Sequence, residues 1–497
     1  MDKPTPSRRL GTLGSGAVTA LALAIQTGLA ATVGVIAGHE FGRSAATDGF
    51  NASYGVFIVV SFAAGAIRVA VMPALARARQ ERQLGSEAAA FGLTLTCFSL
   101  PLLLLSLTAA GPIARLLTGA GPTAAQHAAA EALPWMVAAA VLQLFAGLAA
   151  SSLAALDNYV VAAAGYALGS VIGLTYILLR VHPDGLIALS HGMALNGALA
   201  LLVPVLALAF RARSERMPVA AVRPSRLSFR SRTAEIATSV SLPLAMQFIY
   251  LVCLTLAAAD GVGAQTSFNY AYLITGAVVA VTGSSLGLVT SVPLTRAGLD
   301  SARTARHVIA LSWIAVAAIG ACAGVFGLAG GRIVRLLLGG AYSADVGSQL
   351  GLLVVVLSLW AVTSVAFSVT FPLMFVAKKS RRLSLVGLVA LAGHVPIALA
   401  AQALGGLEGL AVALALTTSV VVALMLIELR ALRLTTRGLA VTLVTIGVIA
   451  LAAFVPAKFI LAPVSAAAVG FSLYVGILIA ARPKGLIEAW RYLHQLA

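Results

Sequence analysis

Gly111-Pro-Ile-Ala-Arg-Leu-Leu-Thr-Gly119 returns in the second half of the chain as Gly331-Arg-Ile-Val-Arg-Leu-Leu-Leu-Gly339. Two further echoes keep the same order. Phe50-Asn-Ala-Ser-Tyr54 returns as Phe268-Asn-Tyr-Ala-Tyr272, and Gly192-Met-Ala-Leu-Asn-Gly-Ala-Leu199 returns as Gly409-Leu-Ala-Val-Ala-Leu-Ala-Leu416. Three matches in one order and at nearly one offset mark a duplicated half, even in a chain rich in Ala, Leu and Val. In an apolar protein, such a duplication points to a transporter built from two lobes.

Composition names the solvent. Of 497 residues, 60% are hydrophobic and only 10% charged, with a mean hydropathy of +1.00. Most of this chain is suited to lipid, and the pattern is that of an all-α polytopic membrane protein. The net charge of +17 does not imply nucleic acid, because the basic residues fall in short clusters between apolar runs, where cytoplasmic loops face anionic headgroups. Arginine outnumbers lysine 28 to 5, which suggests a GC-rich bacterial genome and hence a bacterial cytoplasmic membrane. Cys97, Cys253 and Cys322 stand singly in apolar runs and are expected to be small packing residues, with no disulfide framework or metal site. The apolar run after Arg8 and Arg9 extends to Gly38, too long for the core of a cleaved signal peptide.

Fourteen apolar segments are long enough to span a bilayer, about 20 residues each. Six run from Gly14 to Phe210, six from Ile236 to Ile427, and two more are Leu439 to Val455 and Phe459 to Ala480. The expected organisation is a first lobe over 1–212, a basic linker over 213–235, a second lobe over 236–430, two helices over 437–481 and a tail over 482–497. With the N-terminus in the cytoplasm, 26 basic residues fall inside and six outside, leaving Arg68 within a span. This bias puts both termini in the cytoplasm. Six spans is an even number, so both lobes enter the membrane in one direction and form a parallel repeat about an axis along the membrane normal.

Catalytic motifs are missing. The chain has no Walker A sequence, no HExxH, no GxSxG and no carboxylate pair placed for acid–base work, so neither catalytic residue, cofactor nor metal is expected. The acidic residues are read in loops or at helix ends, including Asp48, Asp157, Asp260 and Glu408, which argues against a simple proton antiporter.

Arg68 breaks an otherwise clean span, about 27 Å along the helix from Phe50 at 1.5 Å per residue. Such a cation either snorkels to the headgroups or faces a wet cavity and holds an anionic substrate. Arg43 and Asp48 bracket the short outer loop between spans one and two, as a salt-bridged loop or as part of a cavity mouth. Gln26, Asn51, Gln247 and Asn269 are candidates for a polar cavity lining or for hydrogen bonds between helices. His191 and His394 are read as packing residues. Arg115 and Arg335 sit in the duplicated motif, read as short interfacial helices that anchor at headgroups. Pro101, Pro204, Pro243, Pro372 and Pro396 interrupt apolar runs, Pro73 and Pro293 end spans two and eight, and Gly283-Ser-Ser-Leu-Gly287 offers a bend.

Gly42-Arg-Ser-Ala-Ala-Thr-Asp-Gly-Phe50, with Gly65-Ala66 and Val71-Met-Pro-Ala-Leu75, resembles the start of the MurJ/MviN-type lipid II flippases of the multidrug/oligosaccharidyl-lipid/polysaccharide (MOP) flippase superfamily. Asp48 and Gly65 correspond by motif; the first span lacks that family's cavity arginines, and Val59, Val60 and Ala64 stand where the family has polar or charged residues. The resemblance implies tandem six-helix lobes, two added C-terminal helices and a central cavity. It further implies alternating-access movement of lipid II or a related undecaprenyl-linked saccharide to the outer leaflet. Anionic membrane lipids and cell-wall synthesis enzymes would be partners. The alternatives are a MATE-like small-molecule exporter and a non-transporting scaffold for envelope synthesis.

Overall fold

The computed structural model describes residues 32–496 apart from 120, 157, 215–227, 285–299, 340–343 and 378. Every regular element among them is helical. After α1 (32–41) come α2 (Ala45–Gln80), α3 (Leu84–Thr108), α4 (Ala110–Leu117), α5 (Thr123–Ala155), α6 (Tyr159–Asp184) and α7 (Ile187–Ser214). The second half holds α8 (Phe229–Leu256), α9 (Ala264–Val279), α10 (Ser301–Leu338), α11 (Ala344–Val376) and α12 (Leu383–Glu428). The chain closes with α13 (Leu432–Ile460), α14 (Pro463–Ala481) and α15 (Lys484–Leu496).

Eleven described helices are long and apolar enough to cross a membrane, so the chain is a multi-pass membrane protein. In lipid, each backbone polar group has to be satisfied within its own helix, which is why the apolar runs fold this way. Helix α12 has 46 residues, about 69 Å at 1.5 Å each, and a bilayer core is only about 30 Å thick. It is two crossings, broken at Gly405 (φ −148°) and Gly406 (φ 52°), with Gly409 folded back against the Ala401 carbonyl. Twelve of the expected fourteen spans therefore fall on these eleven helices. The other two, Gly14 to Gly38 and Asn269 to Leu294, lie partly outside the described residues; the latter is followed through α9 and a π-helical turn at Ala280–Ser284.

The duplication is visible in the backbone. Three pairs of glycines take positive φ: Gly42 and Gly261 (58° and 101°), Gly119 and Gly339 (58° and 85°), and Gly185 and Gly406 (68° and 52°). The spacing within each pair is nearly that of the sequence echoes. All six lie in turns that the charge bias places outside. Among the described residues, the non-glycine residues with positive φ are Arg82, Arg430 and Arg482, all in turns the bias places inside. Left-handed backbone costs an L-residue roughly 1–2 kcal/mol.

Two expectations need correction. The second copy of the duplicated motif is not a separate short helix like α4 but the end of α10, continuous through Gly330 and Gly331. These glycines let the α11 backbone approach at Gly347 and Gly351. The helix that carries the fourth span begins well before Trp135: α5 starts at Thr123 and includes Glu131.

The helices pack into two compact units. The first contains Val60–Leu107 and Pro134–Ile236. Within it, Gly165, Gly169 and Gly173 of α6 meet Pro204, Asn196 and Gly192 of α7 at backbone distance. Arg79 and Arg211 donate to the carbonyls of Ala155 and Leu156, at 2.5 and 3.4 Å, in a turn that has no basic residue of its own. The second unit contains Ala31–Val59, Thr108–Leu133 and Ala237–Ala497. There α13 and α14 pack on α10: Phe454 fills the space at Gly324 and Gly470, and the Tyr474 hydroxyl donates to the Ala317 carbonyl at 2.8 Å.

Candidate functional site

Five of the seven residues singled out in the sequence come together in the second unit, along one buried polar seam. It begins where α2 meets its repeat mate α9. Asp48, in the first turn of α2, accepts three hydrogen bonds from the start of α9. They come from Gly263 N–H to Oδ2 at 2.5 Å, Thr266 N–H to Oδ1 at 2.9 Å and the Thr266 hydroxyl to Oδ1 at 2.6 Å. The α9 N-cap, Gly263, has no side chain to offer. Asp48 supplies the missing cap from another helix. A carboxylate suits that place, since it satisfies orphan N–H groups and faces the positive end of the helix dipole.

Arg43 holds the other side of the same residue. Its Nε donates to the Gly263 carbonyl at 3.1 Å, so Gly263 gives its N–H to Asp48 and its carbonyl to Arg43. Gly263 is itself left-handed (φ 84°), and a Cβ there would collide with Arg43 Nε. Glycine is required on both counts.

Asn51 lies one turn further along α2. Its Nδ2 donates to the Thr266 hydroxyl (3.2 Å) and the Thr47 carbonyl (2.9 Å), and its Oδ1 accepts from Asn269 Nδ2 (2.6 Å). The Tyr250 hydroxyl on α8 donates to Asn269 Oδ1 at 2.7 Å. The Tyr250 ring stacks on Tyr272 at 3.9 Å, Tyr272 rests on Trp360 of α11 at 4.6 Å, and the Tyr272 hydroxyl donates to Gln247 Oε1 at 3.4 Å. All of these polar residues are buried. Small residues make the approach of helices possible: Gly49 sits on the Ala125 carbonyl of α5, and the Ser53 hydroxyl donates to the Ala129 carbonyl at 2.8 Å.

Sequence reading missed Thr266, Gly263, Tyr250 and Gln265. Thr266 had a signal, because the offset between the repeats makes it the equivalent of Asp48. A second carboxylate there would set like charges together; a threonine donates instead. Gln265, equivalent to Thr47, ties down two helix ends, with Nε2 donating to the carbonyls of Leu117 (2.9 Å) and Leu254 (3.0 Å).

Arg68 lies on α2 as expected, but its side chain is outside the described residues, as is Gln26 altogether. The two histidines have neutral neighbours: His191 lies edge-on to Trp135 at 4.5 Å, and buried His394 stands 3.3 Å from Cys253 Sγ and 2.8 Å from the Thr417 hydroxyl. Among the described residues, no group of three His, Cys, Asp or Glu side chains is placed to hold a metal ion. The seam offers fixed hydrogen bonds between helices rather than acid–base chemistry.

No family model matches the chain, and no curated protein matches it. Solved structures do. A lipid II flippase MurJ in an inward closed conformation superposes with a TM-score of 0.71 over 93% of this chain and 98% of that chain, at 13% identity. An inward-facing multidrug resistance MATE transporter of the MOP superfamily gives 0.62 over 85% and 98%, at 17% identity. A MOP superfamily transporter from Pyrococcus furiosus, described as having a binding pocket of reversed polarity, gives 0.57 over 87% and 99%, at 16% identity. At these identities, the likeness is one of fold.

Proposed function

We propose that this protein is a MOP-type flippase. It moves a lipid-linked cell-wall glycan precursor, lipid II or a related undecaprenyl-linked saccharide, from the inner to the outer leaflet by alternating access. The observation that carries the reading is the Asp48 cap on α9. It joins the first turns of two repeat-equivalent helices, which the charge bias assigns to the outer side, through bonds that can break and reform, as a gate requires. Hydrogen bonds to charged groups contribute about 1.5–3 kcal/mol each. Three of them approach or exceed the roughly 5.5 kcal/mol needed to swing a two-state equilibrium from 1:99 to 99:1. The seam is thus strong enough to hold the outer side shut and weak enough for cargo binding to open it.

Support for a lipid-linked cargo comes from the fold shared with the MurJ flippase and from α13 and α14, which follow the duplicated core. A polyprenyl pyrophosphate carries about two negative charges, and an inside-negative potential favours their export by about 2.3 kcal/mol per charge per 100 mV. Arg68 is the proposed cavity cation for that pyrophosphate. The likeness to MATE transporters favours a second reading, export of a small organic molecule. Expression in a bacterium depleted of its lipid II flippase separates the two. With lipid II as the cargo, the flippase reading expects growth to be restored, whereas the exporter reading expects lysis to continue with the protein present in the membrane.

A further inference from the structure

Helix α15 has two unlike faces. Gly485, Ala489 and Tyr492, spaced four and three residues apart, turn toward α10. Gly485 lies flat on the Trp313 indole, where a Cβ would collide with the ring; Ala489 is fully buried; and the Tyr492 hydroxyl is 3.0 Å from His307 Nδ1. Burial raises the Tyr492 hydroxyl pKa above its ordinary value, and neighbouring Arg306 opposes that shift. The other face has no protein to meet among the described residues. Trp490 is 63% exposed, and Lys484, Arg491 and the preceding Arg482 are exposed beside it, with Glu488 the one acidic residue of the helix.

The connection fixes the height of this face. Helix α14 ends at Ala481 and α15 begins at Lys484, so two residues separate the last span from α15. Two residues reach about 7 Å at most, and the headgroup layer adds roughly 5–7 Å on each side of the hydrocarbon. The start of α15 is therefore held at headgroup depth. Arg306, exposed at the start of α10 and close enough to Tyr492 to act on it, adds to the positive side.

We propose that the outward face of α15 docks on anionic lipid headgroups of the leaflet on the side where the chain ends. Trp490 enters the interface, and Lys484 and Arg491 meet the phosphates. An exposed tryptophan between basic residues on an amphipathic helix is suited to that boundary, where apolar burial and electrostatic attraction act together.

The test uses the full-length protein in nanodiscs of pure phosphatidylcholine or of phosphatidylcholine with about a third phosphatidylglycerol. Hydrogen exchange is followed over 484–496, together with quenching of tryptophan emission by brominated lipid, the Trp490 contribution being isolated with Trp490→Phe. The proposal expects slower exchange and stronger Trp490 quenching in the anionic discs. Lys484→Gln with Arg491→Gln should reverse both, by about fivefold in lipid affinity per charge removed. Trp490→Ser should lower the protection in both lipids while leaving the preference for anionic discs. Equal exchange and quenching in neutral and anionic discs would overturn it, as would protection that rises with protein concentration instead of anionic lipid, which would assign the face to a second copy of the chain.

Discussion

Asn51 and Asn269 occupy equivalent positions in the two halves and hydrogen-bond to each other, Asn269 Nδ2 donating to Asn51 Oδ1 at 2.6 Å. Each of these residues thus meets its own repeat mate. An asparagine suits such a place, because one side chain both donates and accepts and so can face its own kind.

This relationship predicts strong coupling. Asn51→Ala leaves the Asn269 amide and the Thr266 hydroxyl short of a partner, and Asn269→Ala does the same to Asn51 and Tyr250. Each single variant should lose roughly 1–3 kcal/mol. The double variant should lose less than the sum, with a coupling of about 1 kcal/mol or more. Unfolding midpoints of the purified variants check this, and strict additivity would deny the contact.

Asp48 should act on the gate more than on folding. Asp48→Asn retains an acceptor oxygen and loses the charge at the α9 N-terminus, while Asp48→Ala loses both. In a background with Cys97, Cys253 and Cys322 replaced by Ala, a cysteine at buried Ser267 reports opening from outside. The rate of maleimide labelling should rise from the parent through Asp48→Asn to Asp48→Ala, by at least about tenfold for Ala, equivalent to 1.4 kcal/mol. Protein abundance should change little. Unchanged labelling in Asp48→Ala would count against a gate.

In the first unit, Glu87 of α3 and Arg232 of α8 form a buried ion pair, Oε1 to Nε 3.3 Å, with Phe91 beneath the guanidinium at 5.9 Å. Removing one partner leaves the other buried charge less well balanced. Glu87→Gln should cost about 3–5 kcal/mol, whereas Glu87→Met with Arg232→Met should be near neutral, because the pair's desolvation is removed with it. Thermal unfolding in detergent distinguishes the two outcomes.

Arg68 is tested by function. As a cavity cation that grips a pyrophosphate, it predicts that Arg68→Ala abolishes movement of lipid precursor at normal abundance. Arg68→Lys should keep a part, since the charge survives without the bidentate fork. A wild-type rate in Arg68→Ala would move the anion site elsewhere.

Much of this was legible in the sequence, where the cues were local. The duplication, the long apolar runs and the equivalence of Asn51 with Asn269 could be read from offsets and hydropathy, whereas their contact with each other could not. The start of α5 could not. Thr123 to Leu133 carries Gln126, His127 and Glu131, which dilute its hydropathy, while Ala125, Ala129 and Ala132 form a buried stripe by size rather than by apolar area. The cap role of Asp48 was hidden for another reason. Its partners are mostly backbone N–H groups far along the chain, at Gly263 and Thr266, and no side-chain pattern advertises them. Likewise, 482–497 read only as a cytoplasmic tail, yet Gly485 and Ala489 matter there as gaps that Trp313 and α10 fill.

The central claim is that lipid-linked cargo crosses only when the outer contacts open, and a cross-link tests it most directly. A Cβ at Gly38 would stand 3.1 Å from Leu338 Cβ, close to the roughly 3.5–4.5 Å of a disulfide. The measurement follows labelled undecaprenyl-linked precursor in proteoliposomes containing Gly38→Cys with Leu338→Cys, in the background free of other cysteines, before and after oxidation. The account predicts flipping by the reduced protein, arrest on oxidation and recovery with reductant. Flipping at the full rate by cross-linked protein, or none by folded, reduced protein, would contradict it.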